Sequence, residues 1–173
     1  DYADLDGVSV LWGKADPLSW EKKPEHLIGT PMMHRATSAS VLQTKKGTLL
    51  MPLYGSSKGD PASRAYLLRS ADGGKTWGKE ILMAADPANK VGMFEPSFVQ
   101  TKEGDIVTTI RTSNANDHLY VARSADDGLT WSPVEKTSIV GHPTDMLLLP
   151  DGRILMVYGY RHEPFGVRAC TSN

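Results

Sequence analysis

The sequence predicts an all-β fold built from repeated four-stranded antiparallel units. Three observations lead to this prediction: a sequence box that occurs twice, short runs of alternating apolar residues, and glycine turns between those runs. No stretch shows the 3.6-residue periodicity of an amphipathic helix. A unit of about fifty residues with four strands has the size of one β-propeller blade.

The sequence box occurs at residues 70–77 (SADGGKTW) and 124–131 (SADDGLTW). Both copies share Ser-x-Asp-x-Gly-x-Thr-Trp, and their tryptophans are 54 residues apart. The short carboxylate of an aspartate suits a tight turn because it accepts backbone N–H bonds, and the tryptophan can pack beneath the turn. We therefore predict that Asp72 and Asp126 have a structural role.

Each box follows an alternating apolar strand, and each unit begins with a strand pair around a glycine turn. The predicted strands before the boxes cover 64–69 and 118–123, and the predicted pairs are 39–42 with 48–51, 97–99 with 106–108, and 146–149 with 154–157. A weaker copy of the box ends at Trp20, with Asp16 in register. The distance from turn glycine to box serine places Ser172 at the start of a third box.

These units predict one partial propeller domain over residues 1–173, with about three blades. The unit boundaries are about 31–80, 90–135 and 140–173, after a partial unit at 1–30. Three blades cannot close a ring, because each blade buries its apolar face against the next. We expect a missing segment or a second chain to complete the propeller.

The boxes resemble the Asp-box, or bacterial neuraminidase repeat, of the sialidase superfamily of six-bladed propellers. Residues 94–99, followed by Arg111, are similar to the sialidase pattern in which a glutamate precedes a strand pair and an arginine closes it. Residues 141–169 are similar to a segment of a sialidase-like branch of the superfamily. The resemblance implies a six-bladed fold, and it favours a secreted or periplasmic protein, although the sequence leaves the localisation open.

The resemblance also implies a chemistry. In sialidases a tyrosine attacks the anomeric carbon, a glutamate accepts its proton, an aspartate is the acid and base, and three arginines clamp the substrate carboxylate. Glu95 matches the proton-accepting glutamate and Arg111 the clamp arginine that follows it. Arg35 lies roughly where the family has its first clamp arginine. The resemblance places the nucleophilic tyrosine in a later blade than those predicted here.

The third unit is rich in polar and aromatic residues. Arg161 and Arg168 are candidates for further clamp arginines, and His142 is a candidate substrate-binding residue. Tyr160 could donate to a sugar hydroxyl, and Asp145 is a candidate acid or base. The candidate catalytic residues are therefore Glu95, Tyr160 and Asp145.

The first functional hypothesis is a sialidase-like glycoside hydrolase acting on an anionic sugar. A non-catalytic carbohydrate-binding propeller is the second hypothesis. The third is a polysaccharide lyase acting on uronates, with His142 or Tyr160 as base and an arginine that neutralises the carboxylate. All three hypotheses predict a carbohydrate partner.

The composition excludes other classes of function. The 173 residues are 40% hydrophobic and carry a net charge of −1, so we expect neither a nucleic-acid nor a membrane partner. The longest apolar run is far below the roughly 20 residues of a membrane span. The single Cys170 excludes an internal disulfide and a cysteine-based zinc site, and the histidines lack metal-ligand spacing. We expect no metal and no cofactor.

Overall fold

The computed structural model describes residues 8–15, 18–20, 25–28, 32–57 and 60–172, apart from the side chains of 25–28, 32–35, 57, 60 and 61. Within these residues all regular secondary structure is β, which confirms the predicted class. The strands are β1 (Val8–Val10), β2 (Gly13–Lys14), β3 (Ser19–Trp20), β4 (Glu25–Ile28), β5 (Met32–Ala36), β6 (Leu42–Gln43), β7 (Leu49–Ser57), β8 (Asp60–Ser70), β9 (Ile81–Ala84), β10 (Gly92–Gln100), β11 (Ile106–Ser113), β12 (His118–Ser124), β13 (Glu135–Val140), β14 (His142–Leu148), β15 (Ile154–Tyr160) and β16 (Gly166–Thr171).

Three antiparallel sheets follow one another along the chain. In the first sheet β7 pairs with both β5 and β6, β8 pairs with β7, and β9 pairs with β8. The second sheet has the order β10-β11-β12-β13, and the third has the order β14-β15-β16. Each sheet is a meander of sequential strands, as the predicted repeat requires. Two small hairpin sheets, β1-β4 and β2-β3, precede them.

The same glycine turn leads into the second strand position of each of the three larger sheets. Gly47, Gly104 and Gly152 have φ angles of 84°, 110° and 94°. Each donates its N–H to the carbonyl three residues earlier, at 2.8, 3.2 and 2.9 Å. Only glycine adopts such angles without steric cost, so these three positions fix where the second strand begins.

The two boxes form nearly identical turns. The Asp72 carboxylate accepts the Thr76 N–H at 2.9 Å and the Thr76 hydroxyl at 2.6 Å. Asp126 accepts the same two groups of Thr130 at 2.8 and 2.6 Å. The structural role predicted for both aspartates therefore has a direct basis, because each carboxylate satisfies donors that the turn leaves unpaired.

The box serine marks the end of the third strand in each sheet. Ser124 lies opposite Ile106 in the second sheet. Ser172 lies opposite Ile154 in the third sheet and exchanges two hydrogen bonds with it, both 2.9 Å long. Ser172 thus occupies the position of a box serine, as its spacing from Gly152 predicts.

The main core lies between the first and second sheets. Its fully buried members include Leu50, Leu67, Met93, Ile106 and Ile110. The opposite face of the first sheet packs its buried leucines and methionine against Val8 and Val10 of β1. The first sheet is therefore covered on both faces, which explains the continuous apolar runs at 49–54 in β7 and 65–68 in β8.

The structure differs from the sequence prediction at the first strand of the first sheet, and it describes only part of the weaker box copy. The strand predicted over 39–42 is wrong in extent, because only Leu42 and Gln43 pair there and β5 provides the rest of the first position in the sheet. Trp20, the end of the weaker box copy, pairs with Gly13 in the β2-β3 hairpin. Asp16 of that copy lies outside the described residues.

Candidate functional site

Each of the three sheets has a β-bulge in its first strand, at the end far from the glycine turn. Regular pairing is interrupted between Met33 and Ala36 in β5, between Phe94 and Ser97 in β10, and between His142 and Thr144 in β14. Bulges of this kind redirect side chains at the ends of sheets and are frequent beside active sites. The bulge in β10 contains Glu95.

Glu95 has an unusual backbone conformation and a partly buried carboxylate. Its φ is 49°, which non-glycine residues rarely adopt. Its Oε2 lies 3.5 Å from Nε of Arg111. This buried oxygen has no hydrogen-bond partner among the described residues. The candidate glutamate and the candidate clamp arginine are thus in contact, and one glutamate oxygen lacks a hydrogen bond.

Arg111 is held from three sides at the end of β11. Its Nε donates to Nδ1 of His142 at 3.0 Å, and its guanidinium carbon lies 5.2 Å from the centre of the Phe94 ring. The ion pair with Glu95 is the third contact. Within the described residues its two Nη nitrogens make no hydrogen bond, so the fork that binds a carboxylate in bidentate fashion is open.

His142 is buried, with 6% of its surface exposed, and both ring nitrogens are engaged. Besides the contact with Arg111, its Nε2 lies 3.1 Å from Oδ2 of Asp117. Nε2 of His162 lies 3.1 Å from the same oxygen. The hydrogen bond from His142 is the main cause that holds the pKa of Asp117 below its ordinary value. Burial opposes this shift, while the charges of both histidines and a hydrogen bond from His162 lower the pKa further. The carboxylate is therefore ionised at neutral pH.

Tyr160 and Arg168 stack beside this cluster. The Arg168 guanidinium carbon lies 3.2 Å from the centre of the Tyr160 ring, and the rings of Tyr160 and His162 are 5.3 Å apart. Arg168 and Arg161 are both exposed. Arg161 makes no side-chain hydrogen bond or ion pair within the described part of the chain. The structure thus places Tyr160 between Arg168 and the His162 ring and leaves Arg161 at the surface.

Asp145 and Arg35 are two further candidates from the sequence. The Asp145 carboxylate accepts the Ser97 hydroxyl at 3.4 Å and lies on an exposed part of β14. Arg35 falls within the bulge of β5, while Glu95 falls within that of β10. The side chain of Arg35 lies outside the described residues.

Tyr54 is a neighbour of the site that the sequence predictions omit. It lies seven residues after its turn glycine, as Arg111 does, so the two occupy equivalent positions in adjacent sheets. Its ring meets the Phe94 ring edge-on at 5.9 Å. Burial and then the negative charge of Glu95 raise the pKa of Tyr54, although Arg111 opposes the shift. The repeat register, read from the glycine turns, was the signal that could have identified it.

Two cavities lie near the first strands of the sheets, away from the ion pair. One of about 190 Å³ is lined by residues 39–42, Ser97, Phe98, Asp145 and Met146. Another of about 280 Å³ is lined by Ser38, residues 143–145, residues 157–159 and Val167. Glu95 and Arg111 line neither cavity, and their side chains are 22% and 24% exposed. The ion pair is therefore partly accessible without being part of either cavity.

The described residues contain neither a metal-binding cluster nor a membrane-spanning helix. No group of three or more histidine, cysteine, aspartate or glutamate side chains could hold a metal ion there. None of the described residues belongs to a helix with the length and hydropathy needed to cross a membrane.

Comparisons with known proteins match most of the chain. A family model described as a BNR repeat-like domain matches residues 8–169. A sialidase of Bacteroides fragilis is 31% identical over 186 aligned residues, which cover 85% of this chain and 34% of that protein. The chain thus spans about a third of the length of the curated relative it matches.

Solved structures match the fold. The NanB sialidase of Streptococcus pneumoniae superposes with a TM-score of 0.66 and 22% identity, covering 88% of this chain and 24% of that one. A protein of unknown function from Dyadobacter fermentans gives a TM-score of 0.62 and 24% identity over 100% of this chain and 70% of that one. At these identities the similarity shows the fold, a sialidase-type β-propeller of which the three sheets are blades.

Proposed function

The chain belongs to the BNR repeat-like family of the sialidase superfamily, and from this premise we propose that Glu95 and Arg111 form part of the sugar site of a sialidase-like glycoside hydrolase. The substrate is a sugar that bears a carboxylate. Arg111 binds that carboxylate through its two Nη nitrogens, and Glu95 accepts a proton during the reaction.

The observation that carries this proposal is the state of the two side chains. Arg111 is held through Nε while its Nη donors have no partner among the described residues. One carboxylate oxygen of Glu95 lies buried beside it without a hydrogen bond. A fixed guanidinium with an open fork matches a carboxylate ligand in geometry and charge, and an adjacent acceptor suits proton transfer.

A binding measurement tests the first half of the proposal. Calorimetry of the chain with N-acetylneuraminic acid should show binding, and Arg111→Lys should weaken it despite the retained charge, because lysine lacks the planar fork. Arg153→Lys is the matched control, since Arg153 is exposed and pairs with Asp151 in a turn. Equal affinity of the Arg111→Lys variant and the wild type would reject the clamp.

A second candidate function is a propeller that binds the sugar without hydrolysing it. Within the described residues no tyrosine hydroxyl donates to Glu95, whereas the sialidase reaction passes a proton from tyrosine to glutamate. A fluorogenic sialoside assay, on this chain and on a native polypeptide that contains it, separates the two functions. Release of the fluorophore that is lost in Glu95→Gln supports the hydrolase, and binding without release supports the second candidate.

The lyase hypothesis loses one of its two candidate bases. Both nitrogens of His142 are engaged, by Arg111 and by Asp117, so neither is open to take a proton from a sugar. Tyr160 is then the remaining candidate base, and its ring is covered by Arg168. Absorbance of an unsaturated uronate product would be needed to revive this hypothesis.

A further inference from the structure

We propose that His142 and Asp117 are positioning residues that fix the orientation of Arg111. The inference rests on the proposed function, because it assigns to these residues the task of holding the Arg111 fork open toward a carboxylate. Neither residue needs to touch the ligand.

The hydrogen-bond directions follow from the chemistry of arginine. Nε of Arg111 carries a proton and has no acceptor capacity, so Nδ1 of His142 must be unprotonated and must accept. A neutral imidazole then carries its proton on Nε2, which faces Oδ2 of Asp117 at 3.1 Å. The ionised Asp117 therefore selects the one tautomer of His142 that can hold Arg111.

The fold supplies a rigid support for Asp117. The residue lies in the turn between β11 and β12 with a φ of 57°, and Asn114 and Asn116 of that turn also have positive φ angles. The carbonyl of Asp117 accepts the Gly141 N–H at 2.9 Å, one residue before His142. Gly141 itself has no room for a Cβ, which would come within 2.5 Å of the Tyr158 ring. The backbone hydrogen bond therefore holds the turn that carries Asp117 against the segment that carries His142.

The contacts of Arg111 leave its two Nη nitrogens available to a ligand. Nε is bound to His142, one face of the guanidinium covers Phe94, and Glu95 lies against the Nε side. With Nε fixed, the two Nη nitrogens are the donors that remain for a ligand. Loss of the acceptor at His142 would leave a part-buried N–H without a partner and let the side chain rotate toward Glu95.

Acidification provides a specific signature of this arrangement. A second proton on His142 must go to Nδ1, where it would face the Arg111 N–H and set two cations together. Arg111 and Asp117 contact the two nitrogens of the imidazole, while Glu95 lies against Arg111 and His162 against Asp117. The contact between His142 and Arg111 should therefore open when His142 becomes protonated.

Nuclear magnetic resonance of the ¹⁵N-labelled chain tests the contact without any sugar. At neutral pH we expect the His142 Nδ1 to be unprotonated, with a scalar coupling to Nε of Arg111 across the N–H···N bond. A protonated Nδ1, or no coupling in the folded wild type, would overturn the proposal. This outcome is independent of whether the protein binds sialic acid.

Variants then test the consequence for binding of N-acetylneuraminic acid. His142→Leu should weaken binding roughly tenfold, as expected for the loss of a hydrogen bond to a charged group, while His142→Asn, whose Oδ1 can replace the Nδ1 acceptor, should stay within about threefold of wild type. His162→Ala is the matched control, since His162 contacts Asp117 without touching Arg111. Affinity should fall on acidification in the wild type and less in His142→Asn.

These outcomes distinguish failure of sugar binding from failure of the positioning role. If the wild type shows the coupling but does not bind the sugar, the proposed function fails and the contact stands. If the wild type binds and His142→Leu, shown to be folded by its amide spectrum, binds equally well, the positioning role is rejected and the clamp stands. If His142→Leu binds the sugar weakly and His142→Asn binds it about as well as the wild type, both the clamp and the positioning role are supported.

Discussion

Asp127 of the second box forms an ion pair with Arg69 of the first sheet, with 2.6 Å between Oδ2 and Nη2. The same oxygen accepts the Thr48 hydroxyl at 2.6 Å, and the Asp127 carbonyl accepts Nε of Arg69 at 3.0 Å. Burial raises the pKa of Asp127, but hydrogen bonds to its carboxylate from Thr48, Thr44 and Arg69, together with the charge of Arg69, hold it below its ordinary value. The box thus joins neighbouring blades in addition to closing its own turn.

Arg69→Ala should destabilise the protein markedly. It leaves the Asp127 carboxylate, whose side chain is 4% exposed, without its counter-charge. Removal of one partner of a buried pair costs about 3–5 kcal/mol, and we expect about 2–3 kcal/mol here because Arg69 is partly exposed. Urea denaturation measures the change in the free energy of unfolding.

Arg123 provides the matched control for that experiment. It precedes the serine of the second box as Arg69 precedes that of the first, but it is exposed, and its side chain has no partner among the described residues. Arg123→Ala should change stability by less than about 0.5 kcal/mol. A similar loss in both variants would show that Arg69 does not join the blades.

Two glycines with the same backbone angle separate strain from packing. Gly47 has a φ of 84° and open space where a Cβ would lie, whereas a Cβ on Gly128, with a φ of 85°, would lie 3.2 Å from both methyl carbons of Leu50. Gly47→Ala should cost about 1–2 kcal/mol through the left-handed conformation alone. Gly128→Ala should cost about 1 kcal/mol more because Leu50 is fully buried. Equal costs in chemical denaturation would contradict the packing argument.

The repeat made most of the fold predictable from the sequence. Turn glycines and box residues have strict local requirements, so their spacing revealed the strand order and the register of Ser172. The first position of the first sheet was not predictable in the same way. Its pairing is divided between β5 and β6, and the break between them depends on tertiary contacts rather than on a local signal.

The site was only partly predictable for a related reason. Glu95 and Arg111 carry a family pattern, and His142 was noticed because it lies in a polar segment. Tyr54 lies in an apolar strand, and its equivalence to Arg111 in the repeat is the sequence signal that places it. Asp117 carries no pattern of its own, because its role arises from a contact with His142 of the third sheet that a single sequence does not show.

The two boxes should make stability depend on acid pH. Hydrogen bonds from Thr76 lower the pKa of Asp72 from an ordinary 3.8 to about 2, and those from Thr130 lower the pKa of Asp126 to about 2. A carboxylate with a lowered folded-state pKa contributes stability that is present above about 3.8 and is lost as the pH falls toward 2. The melting temperature should therefore decline across this range.

A double variant isolates the contribution of the boxes from that of other carboxylates. Asp72→Asn with Asp126→Asn cannot take up these protons, so its melting temperature should start lower at pH 5 and decline less between pH 4 and pH 2 than that of the wild type. Parallel curves for the two proteins would mean that the box aspartates do not titrate with folding.

Tyr54 should respond to the charge of Glu95. Burial and that charge raise the pKa of the Tyr54 phenol, with Arg111 acting in the opposite direction. Glu95→Gln removes one of the raising causes, so the pKa of Tyr54 should fall. Ultraviolet titration, with Tyr54→Phe in the same background to identify the signal, measures the shift. An unchanged or higher pKa would show that the two side chains are not coupled.

The third sheet should mediate self-association of the 173-residue chain. Side chains alternate between the two faces along its strands, so Leu147, Val157 and Val167 share one face. They are 61%, 40% and 82% exposed. The opposite face carries the buried Met156 and contacts the second sheet. Each blade of a propeller buries such a face against another element, and exposed apolar patches of this kind drive association in water.

We expect light scattering to give a mass above the 18.9 kDa of one chain at micromolar concentration. Leu147→Lys and Val167→Lys should shift the mass toward the monomer, while Leu129→Lys, at an exposed leucine in the second box, should not. A wild type that stays monomeric at all concentrations, or an equal effect of the control, would show that this face does not bind a second copy.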